Sequence, residues 1–252
     1  MAVIVFFIFV FVWYFPVWHR QGKEESLPRF TIAKSVFMGL IPGFLLIILL
    51  QIGLGYLFRA LPLSDTAFTA CDCYIGAAVV EEFVKFLMAY VVIRKVQPER
   101  KVDYVLIFGA VGLGYEVTET LLLLDSVIAG IGRGIFALHI IWQFFMGAYF
   151  YKYREAKQNC NETQARRSLL LAFGVPVFIH GTNDFLAFMA EKYLGVLDAG
   201  SLENFSAEAQ NITPELEAAG WWTAALLIFM LFEIIFQIIT FRMALRAAKE
   251  SL

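Results

Sequence analysis

Residues 75–93 read IGAAVVEEFVKFLMAYVVI, an apolar run of bilayer-crossing length that contains Glu81, Glu82 and Lys85. A bilayer core of about 30 Å is crossed by roughly 20 apolar helical residues. An ionised carboxylate at the centre of such a helix costs roughly 2.5–3.5 kcal/mol, so two of them need compensating partners or a function. We therefore expect the chemistry of the chain to lie at Glu81 and Glu82.

The rest of the 252-residue chain is also strongly apolar. Hydrophobic residues make up 60% of it and charged residues 17%, and the mean hydropathy is +0.70, which is unusual for a soluble domain. These values predict an all-α fold, a polytopic membrane helix bundle that forms a single integral membrane domain over residues 1–252. We predict seven transmembrane helices, here called spans 1 to 7, at residues 2–17, 37–58, 72–93, 104–124, 131–151, 168–189 and 221–241.

Basic residues are unevenly divided between the loops, and they predict the orientation. Most of them follow spans 1, 3, 5 and 7, as Arg20, Lys23, Arg29, Lys34, Arg94, Lys95, Arg100, Lys101, Lys152, Arg154, Lys157, Arg166, Arg167, Arg242, Arg246 and Lys249. The positive-inside rule then puts the N-terminus outside and the C-terminus in the cytoplasm of a multi-pass cell-membrane protein. The expected partner is the lipid bilayer and not a nucleic acid. Span 1 has no basic residue ahead of it, so we expect a retained helix rather than a signal peptide.

Polar residues inside the later spans indicate where a site would form. They are the segment GLGYEVTE at 112–119, His139 and Gln143, the segment HGTND at 180–184, and Glu233 with Gln237. Several are spaced three or four residues apart and therefore share one helix face. Glu82, Glu116, His139 and His180 each lie about 18 Å from the cytoplasmic end of their span at about 1.5 Å per residue. This common depth predicts one polar cavity in the outer half of the membrane, and the acidic loop 190–220 could cover its entrance.

Four blocks in this order resemble the motifs of the PrsW family of intramembrane proteases. They are EEFVK at 81–85, GLGYEVTE at 112–119, His139 with Gly147 eight residues later, and HGTND at 180–184. The resemblance covers spans 3 to 6, residues 72–189, and extends distantly to CAAX prenyl endopeptidases and bacteriocin-processing membrane proteases. It implies an intramembrane endopeptidase that cuts a membrane-anchored protein substrate near its extracytoplasmic side. The substrate class that it implies is an anti-sigma factor, in a site-1 type cleavage.

The resemblance also implies roles for individual residues. Glu81 would be the general base that activates water, with Glu82 and Lys85 as its electrostatic neighbours. The site would be completed by His139, His180, Asp184 and Glu119. Asp184 stands where the CAAX relatives have asparagine, which favours the PrsW family. The role of Glu116 stays open.

The two histidines allow two mechanisms. Two imidazoles and one carboxylate are a common set of zinc ligands, and His139 and His180 with Glu119, Glu81 or Asp184 would supply it. Without a metal ion, the same histidines would stabilise the developing oxyanion. The chain has no HExxH motif, so zinc and a metal-free mechanism both stay open.

Other interpretations of the buried charges remain. Glu81, Glu82 and Lys85 could form an ion-pair network that only fixes helix packing. A proton- or cation-coupled transporter would also place Glu, His and Asp near mid-membrane depth. A scaffold would not need so many ionisable groups, and it should tolerate Glu81→Gln. We expect Glu233 to be a structural partner, and the glycines of spans 4 and 5 to permit close helix approach.

Overall fold

The computed structural model describes residues 4, 7–8, 10–20, 27–122, 137–198 and 214–250, with the backbone alone at 193–198 and 214–216. The described residues form helices joined by short connections and contain no strand, which confirms the all-α fold class. Helix α1 spans Val10–Tyr14 and Phe15–Arg20, α2 spans Arg29–Ala60, and α3 spans Asp65–Cys71, Asp72–Val79 and Val80–Val96. Then follow α4 (Lys101–Leu122), α5 (Leu138–Gln158), α6 (Glu162–Asp198) and α7 (Pro214–Lys249).

Four of these helices are long and apolar enough to cross a membrane, so the chain is a multi-pass membrane protein. They are α2 and α4, with α6 over Glu162–Lys192 and α7 over Glu217–Lys249. The predicted spans 3 and 5 correspond to α3 and α5, where charged residues and, in α5, a histidine lower the apolarity. Span 1 lies partly outside the described residues. Seven crossings and their orientation therefore remain a prediction.

Helix ends differ from the predicted bounds at two places. Helix α5 begins at Leu138, seven residues after the predicted start of span 5, and residues 123–136 lie outside the described part. His139 is therefore in the first turn of its helix and not in its middle. Helix α6 ends at Asp198 and α7 begins at Pro214, so the loop expected at 190–220 is partly helical. Residues 199–213 are not described.

Helix α4 is the centre of the bundle. In its most apolar stretch of 18 residues, 72% of the residues are buried, against 17% in the corresponding stretches of α2 and α7. Helix α5 packs along α4, α2 contacts another side of it, and α6 packs between α5 and α7. The outer faces of α2 and α7 expose large apolar side chains such as Leu49, Ile52, Ile228 and Leu231. In a bilayer these faces contact lipid tails. The polar residues of α3 to α6 are buried inside the bundle, where they face one another.

Two glycines let the central helices approach closely. A Cβ atom on Gly112 would lie 2.6 Å from the carbonyl oxygen of His139 in α5, and one on Gly114 would overlap the carbonyl oxygen of Val36 in α2. Small residues at such crossings are how membrane helices gain packing contacts. The expected role of the span 4 glycines is confirmed at these positions, while those predicted at 130, 132 and 134 lie outside the described residues.

Helix α3 contains a wide turn directly before its acidic pair. Residues Asp72–Val79 are π-helical and Val80–Val96 continue as a regular α-helix. A π-helical segment rotates the residues that follow it relative to a regular α-helix, and such segments are frequent at functional sites. The turn therefore sets which face of α3 presents Glu81 and Glu82.

Candidate active site

Lys85 is the centre of a buried polar cluster. Its Nζ donates to Oε2 of Glu81 at 3.1 Å, to Oε1 of Glu82 at 3.0 Å and to Nδ1 of His139 at 2.8 Å. An ammonium group has three protons, so these contacts use its full donor capacity. The ring of Tyr115 lies 3.9 Å from Nζ, which adds a cation–π contact. Lys85 therefore joins α3 to α4 and α5 while it is only 1% exposed.

His139 is oriented by three neighbours. Its backbone N–H, in the first turn of α5, donates to Oε2 of Glu116 at 3.1 Å. Helix N-termini have unsatisfied N–H groups that favour a negatively charged acceptor. Because the Lys85 ammonium can only donate, Nδ1 of His139 accepts, and Nε2 then donates to Oε2 of Glu119 at 2.7 Å. Glu116, whose role the sequence left open, thus caps the helix that carries His139.

His180 on α6 is surrounded by carboxylates. Its Nδ1 lies 3.1 Å from Oε1 of Glu82, while Nε2 lies 3.2 Å from Oδ2 of Asp184 and 3.8 Å from Oε2 of Glu81. If Nδ1 donates to Glu82, an unprotonated Nε2 would direct its lone pair toward two carboxylates. A proton or a metal ion at Nε2 removes that repulsion. Trp142 stacks on the ring at a centroid distance of 4.6 Å and holds its plane.

The two adjacent glutamates differ in their surroundings. Glu82 is completely buried, and besides Lys85 and His180 it accepts a hydrogen bond from Nε2 of Gln143 at 2.7 Å. Glu81 is 6% exposed and accepts from Nε2 of Gln51 at 3.2 Å. Glu82 therefore acts as an internal anchor, whereas Glu81 is slightly more exposed and is the glutamate that forms one group with both histidines.

A cavity of about 320 Å³ lies next to this cluster. Its walls come from α4, α5, α6 and α7, and its lining residues are Glu116, Glu119, Leu138, His139, Trp142, His180, Asn183, Asp184, Met230 and Glu233. Both histidines reach the cavity, while Glu81 and Glu82 stand behind them. A polar cavity between the later spans is therefore present, but its walls include α7 and not the predicted span 3.

Three of the residues form a group that could hold a metal ion. One ligand atom each from Glu81, His139 and His180 lie within 4.8 Å of one another, and all three residues are buried. Two imidazoles and a carboxylate match the donors that zinc prefers. The carboxylates of Glu119 and Asp184 each contact a ring nitrogen of one histidine, as neighbouring groups commonly do around metal ligands. The sequence left Glu119, Glu81 and Asp184 open as the carboxylate ligand, and Glu81 is the one that joins the histidines in this group.

The structure brings all six predicted site residues into one connected cluster: Glu81, Glu82, Glu119, His139, His180 and Asp184. Sequence reasoning missed Gln51, Tyr115 and Trp142. Gln51 had a usable signal, because it is the only amide or charged residue of the predicted span 37–58. The two aromatic residues had none, since aromatic side chains are common in apolar helices. Glu233 was expected to be a structural partner, yet its Oε1 has no hydrogen-bond partner among the described residues.

Comparison with known proteins points to the family that the sequence motifs resemble. The profile of the PrsW-protease family, described as PrsW family intramembrane metalloprotease, matches residues 27–205. A protein named Protease PrsW from Geobacillus kaustophilus (strain HTA426) is 28% identical over 129 residues, which are 49% of this chain and 55% of the relative. Another protein of that name from Clostridioides difficile (strain 630) is 26% identical over 133 residues, with the same coverage of 49% and 55%.

The chain spans about half the length of the curated relatives it matches. No solved structure matches it. The family profile nevertheless covers most of the chain, including α2 to α6 and every residue of the polar cluster. The chain therefore belongs to the PrsW protease family.

Proposed function

We propose that this protein is an intramembrane endopeptidase that hydrolyses a peptide bond of a membrane-anchored protein. The carrying observation is the convergence of Glu81, His139 and His180 within 4.8 Å beside a cavity lined by both histidines. Peptide hydrolysis needs an activated water, a donor for the oxyanion and a proton for the leaving amine. These three residues supply a carboxylate base and two imidazoles at one point.

In the proposed reaction, Glu81 accepts a proton from a water molecule held between the two histidines. The water oxygen bonds to the carbonyl carbon, and an imidazole N–H stabilises the oxyanion. The C–N bond then breaks, and the proton held by Glu81 goes to the leaving amine. Lys85 donates to both glutamates, while Glu82 and Asp184 orient His180 from opposite ring nitrogens.

A zinc-dependent form of the reaction is the alternative, because the donors that zinc prefers are present together. Glu81, His139 and His180 would hold the ion, with Glu81 then a ligand and not the base, and the ion would supply Lewis-acid activation of water and of the carbonyl group. The chain's own residues would still orient the histidines, through Glu119 at His139 and Asp184 at His180.

The substrate proposed is a single-span membrane protein cut near its extracytoplasmic side, such as an anti-sigma factor. Support comes from membership of the PrsW family of intramembrane proteases and from the distribution of basic residues, which predicts that the cavity lies in the outer half of the membrane. A cavity of about 320 Å³ accommodates a short extended peptide segment and not a folded domain.

The test is cleavage of a tagged single-span substrate by purified protein in detergent, followed by gel and mass spectrometry. We expect Glu81→Gln and His180→Ala to lower the rate by at least about 100-fold while both variants keep the unfolding midpoint of a folded protein. The matched control is Glu99→Gln, which removes an exposed carboxylate away from the cavity.

Undiminished cleavage by both variants would place the activity elsewhere or in a contaminant. If no form cleaves and the protein instead carries protons across proteoliposomes in a Glu81-dependent manner, the transporter interpretation replaces the protease. Zinc measured in the same samples, present in the wild type and absent from His180→Ala, would establish the metal-dependent form of the reaction.

A further inference from the structure

Glu233 on α7 is a buried carboxylate that the proposed reaction does not use. It is 3% exposed, it lines the cavity, and its Oε1 has no hydrogen-bond partner among the described residues. A buried unpaired carboxylate is costly. Such a group either takes up a proton or pairs with a group from outside the resting protein.

The other carboxylates of the cavity wall contrast with Glu233, because each of them meets a partner within the protein. Oε2 of Glu116 accepts from the His139 backbone, and Oε2 of Glu119 meets Nε2 of the same residue. Asp184 meets Nε2 of His180. Glu233 enters from a different helix, α7, and faces the same cavity across from these residues.

The charge balance of the cavity points to the kind of group that would pair with Glu233. Four acidic side chains line it, and no lysine or arginine does among the residues that the structure describes. An ammonium or guanidinium group entering this space gains charge-assisted hydrogen bonds. An acidic side chain would instead meet like charges at short range in a medium of low dielectric constant.

We propose that Glu233 is a specificity-determining residue that binds a lysine or arginine side chain of the substrate close to the cleaved bond. This inference rests on the proposed protease function. The cavity is then a subsite in which α7 recognises the side chain, while the histidines of α5 and α6 face the peptide bond.

The test uses single-span reporters whose outward juxtamembrane segment is randomised over eight positions, with cut sites read by mass spectrometry. We expect wild-type cut sites to be enriched in lysine or arginine at one fixed position. For a matched pair of reporters, lysine at that position should be cut at least about tenfold faster than methionine.

The Glu233→Gln variant should lower this lysine-to-methionine ratio to below about twofold. Glu233→Lys should reverse the preference toward aspartate or glutamate, and a purely structural role would not produce such a reversal. The control Glu217→Gln, an exposed carboxylate on the same helix, should keep the wild-type ratio. Wild-type cleavage without a basic preference, or a preference that survives Glu233→Gln, would overturn the inference and leave the protease function intact.

A binding measurement distinguishes failure of the subsite proposal from failure of the protease proposal. The probe is n-butylguanidinium, and the readout is the unfolding midpoint of the purified protein in detergent. We expect the probe to stabilise the wild type and Glu81→Gln, and not Glu233→Gln. If the probe shifts the unfolding midpoint of the wild type and of Glu233→Gln by the same amount at every concentration, the subsite is rejected, even if no reporter is cleaved.

Discussion

Nζ of Lys85 lies 2.8 Å from Nδ1 of His139 and ties the acidic pair of α3 to the first histidine of the site. Because a lysine ammonium has no acceptor, this contact fixes Nδ1 as the acceptor and leaves Nε2 of His139 directed at Glu119. The lysine therefore sets which ring nitrogen of His139 faces the cavity.

Lys85→Met should destabilise the protein strongly. It removes three hydrogen bonds and leaves Glu81 and Glu82 adjacent, buried and without their shared cation. Removing one partner of a buried ion pair costs about 3–5 kcal/mol. We expect the free energy of unfolding in detergent to fall by that amount. Lys157→Met, which breaks an exposed pair with Glu162, is the control and should leave the unfolding midpoint unchanged. Equal effects of the two variants would contradict the central role of Lys85.

Glu116→Leu should misplace His139. The substitution leaves the His139 backbone N–H without its acceptor, and a buried unsatisfied donor costs about 1–3 kcal/mol. Glu116→Gln keeps an oxygen at this position and should retain more stability and more cleavage activity than the leucine variant. The measurement is the unfolding midpoint together with the rate of reporter cleavage, and a glutamine variant as impaired as the leucine variant would indicate that the charge is what matters.

Gly112→Ala tests the close crossing of α4 and α5. The added Cβ would lie 2.6 Å from the His139 carbonyl oxygen and 2.8 Å from Cγ of Gln143, so the helices must separate. Overpacking of this kind costs about 1–3 kcal/mol, and the resulting shift of His139 should reduce cleavage. Gly53→Ala on α2, where nothing lies within 4 Å of the new atom, should be tolerated. Normal activity in Gly112→Ala would show that the site adapts to a wider crossing.

Asp184→Asn tests whether this carboxylate supports His180 as the proposed metal ligand. The carboxylate lies 3.2 Å from Nε2 of that histidine, and replacing such a partner typically weakens metal binding by about 10–100-fold. We expect the wild type to hold about one zinc per chain and the variant to release it at lower chelator concentration. Elemental analysis across a chelator series measures this directly, and Asp65→Asn, at an exposed carboxylate on α3, serves as the control. A metal content independent of Asp184 would argue against support by this residue.

The sequence indicated much of the site because buried charges in membrane helices are rare and costly. Glu81, Glu82, His139 and His180 could be identified one by one from that cost, and the spacing of Asp184 from His180 placed both on one helix face. The same reasoning passed over Gln51, although it is the only amide or charged residue of its predicted span, and it gave no signal for Tyr115, because aromatic side chains are common in apolar helices.

The apolar pattern of the sequence also predicted the wrong start for one helix. Span 5 was predicted from apolar length, yet α5 starts at Leu138, where Glu116 of another helix caps it. An apolar run does not reveal which of its residues will begin the helix when the capping group comes from elsewhere in the chain. The structural role expected for Glu233 has no hydrogen bond at Oε1 to support it among the described residues, since whether a carboxylate meets a donor depends on the helices opposite it.

The sequence by itself determined that the chain is helical, membrane-embedded and related to PrsW proteases, because hydropathy, helical spacing and motif order are properties of the chain alone. Only the tertiary structure decided which polar groups meet, such as Lys85 with His139 and Glu82 with His180, and that an oxygen of Glu233 has no hydrogen bond within the described part of the chain. These contacts join residues up to 98 positions apart. They depend on how closely and at what rotation the helices pack, and glycine crossings and wide helical turns set both.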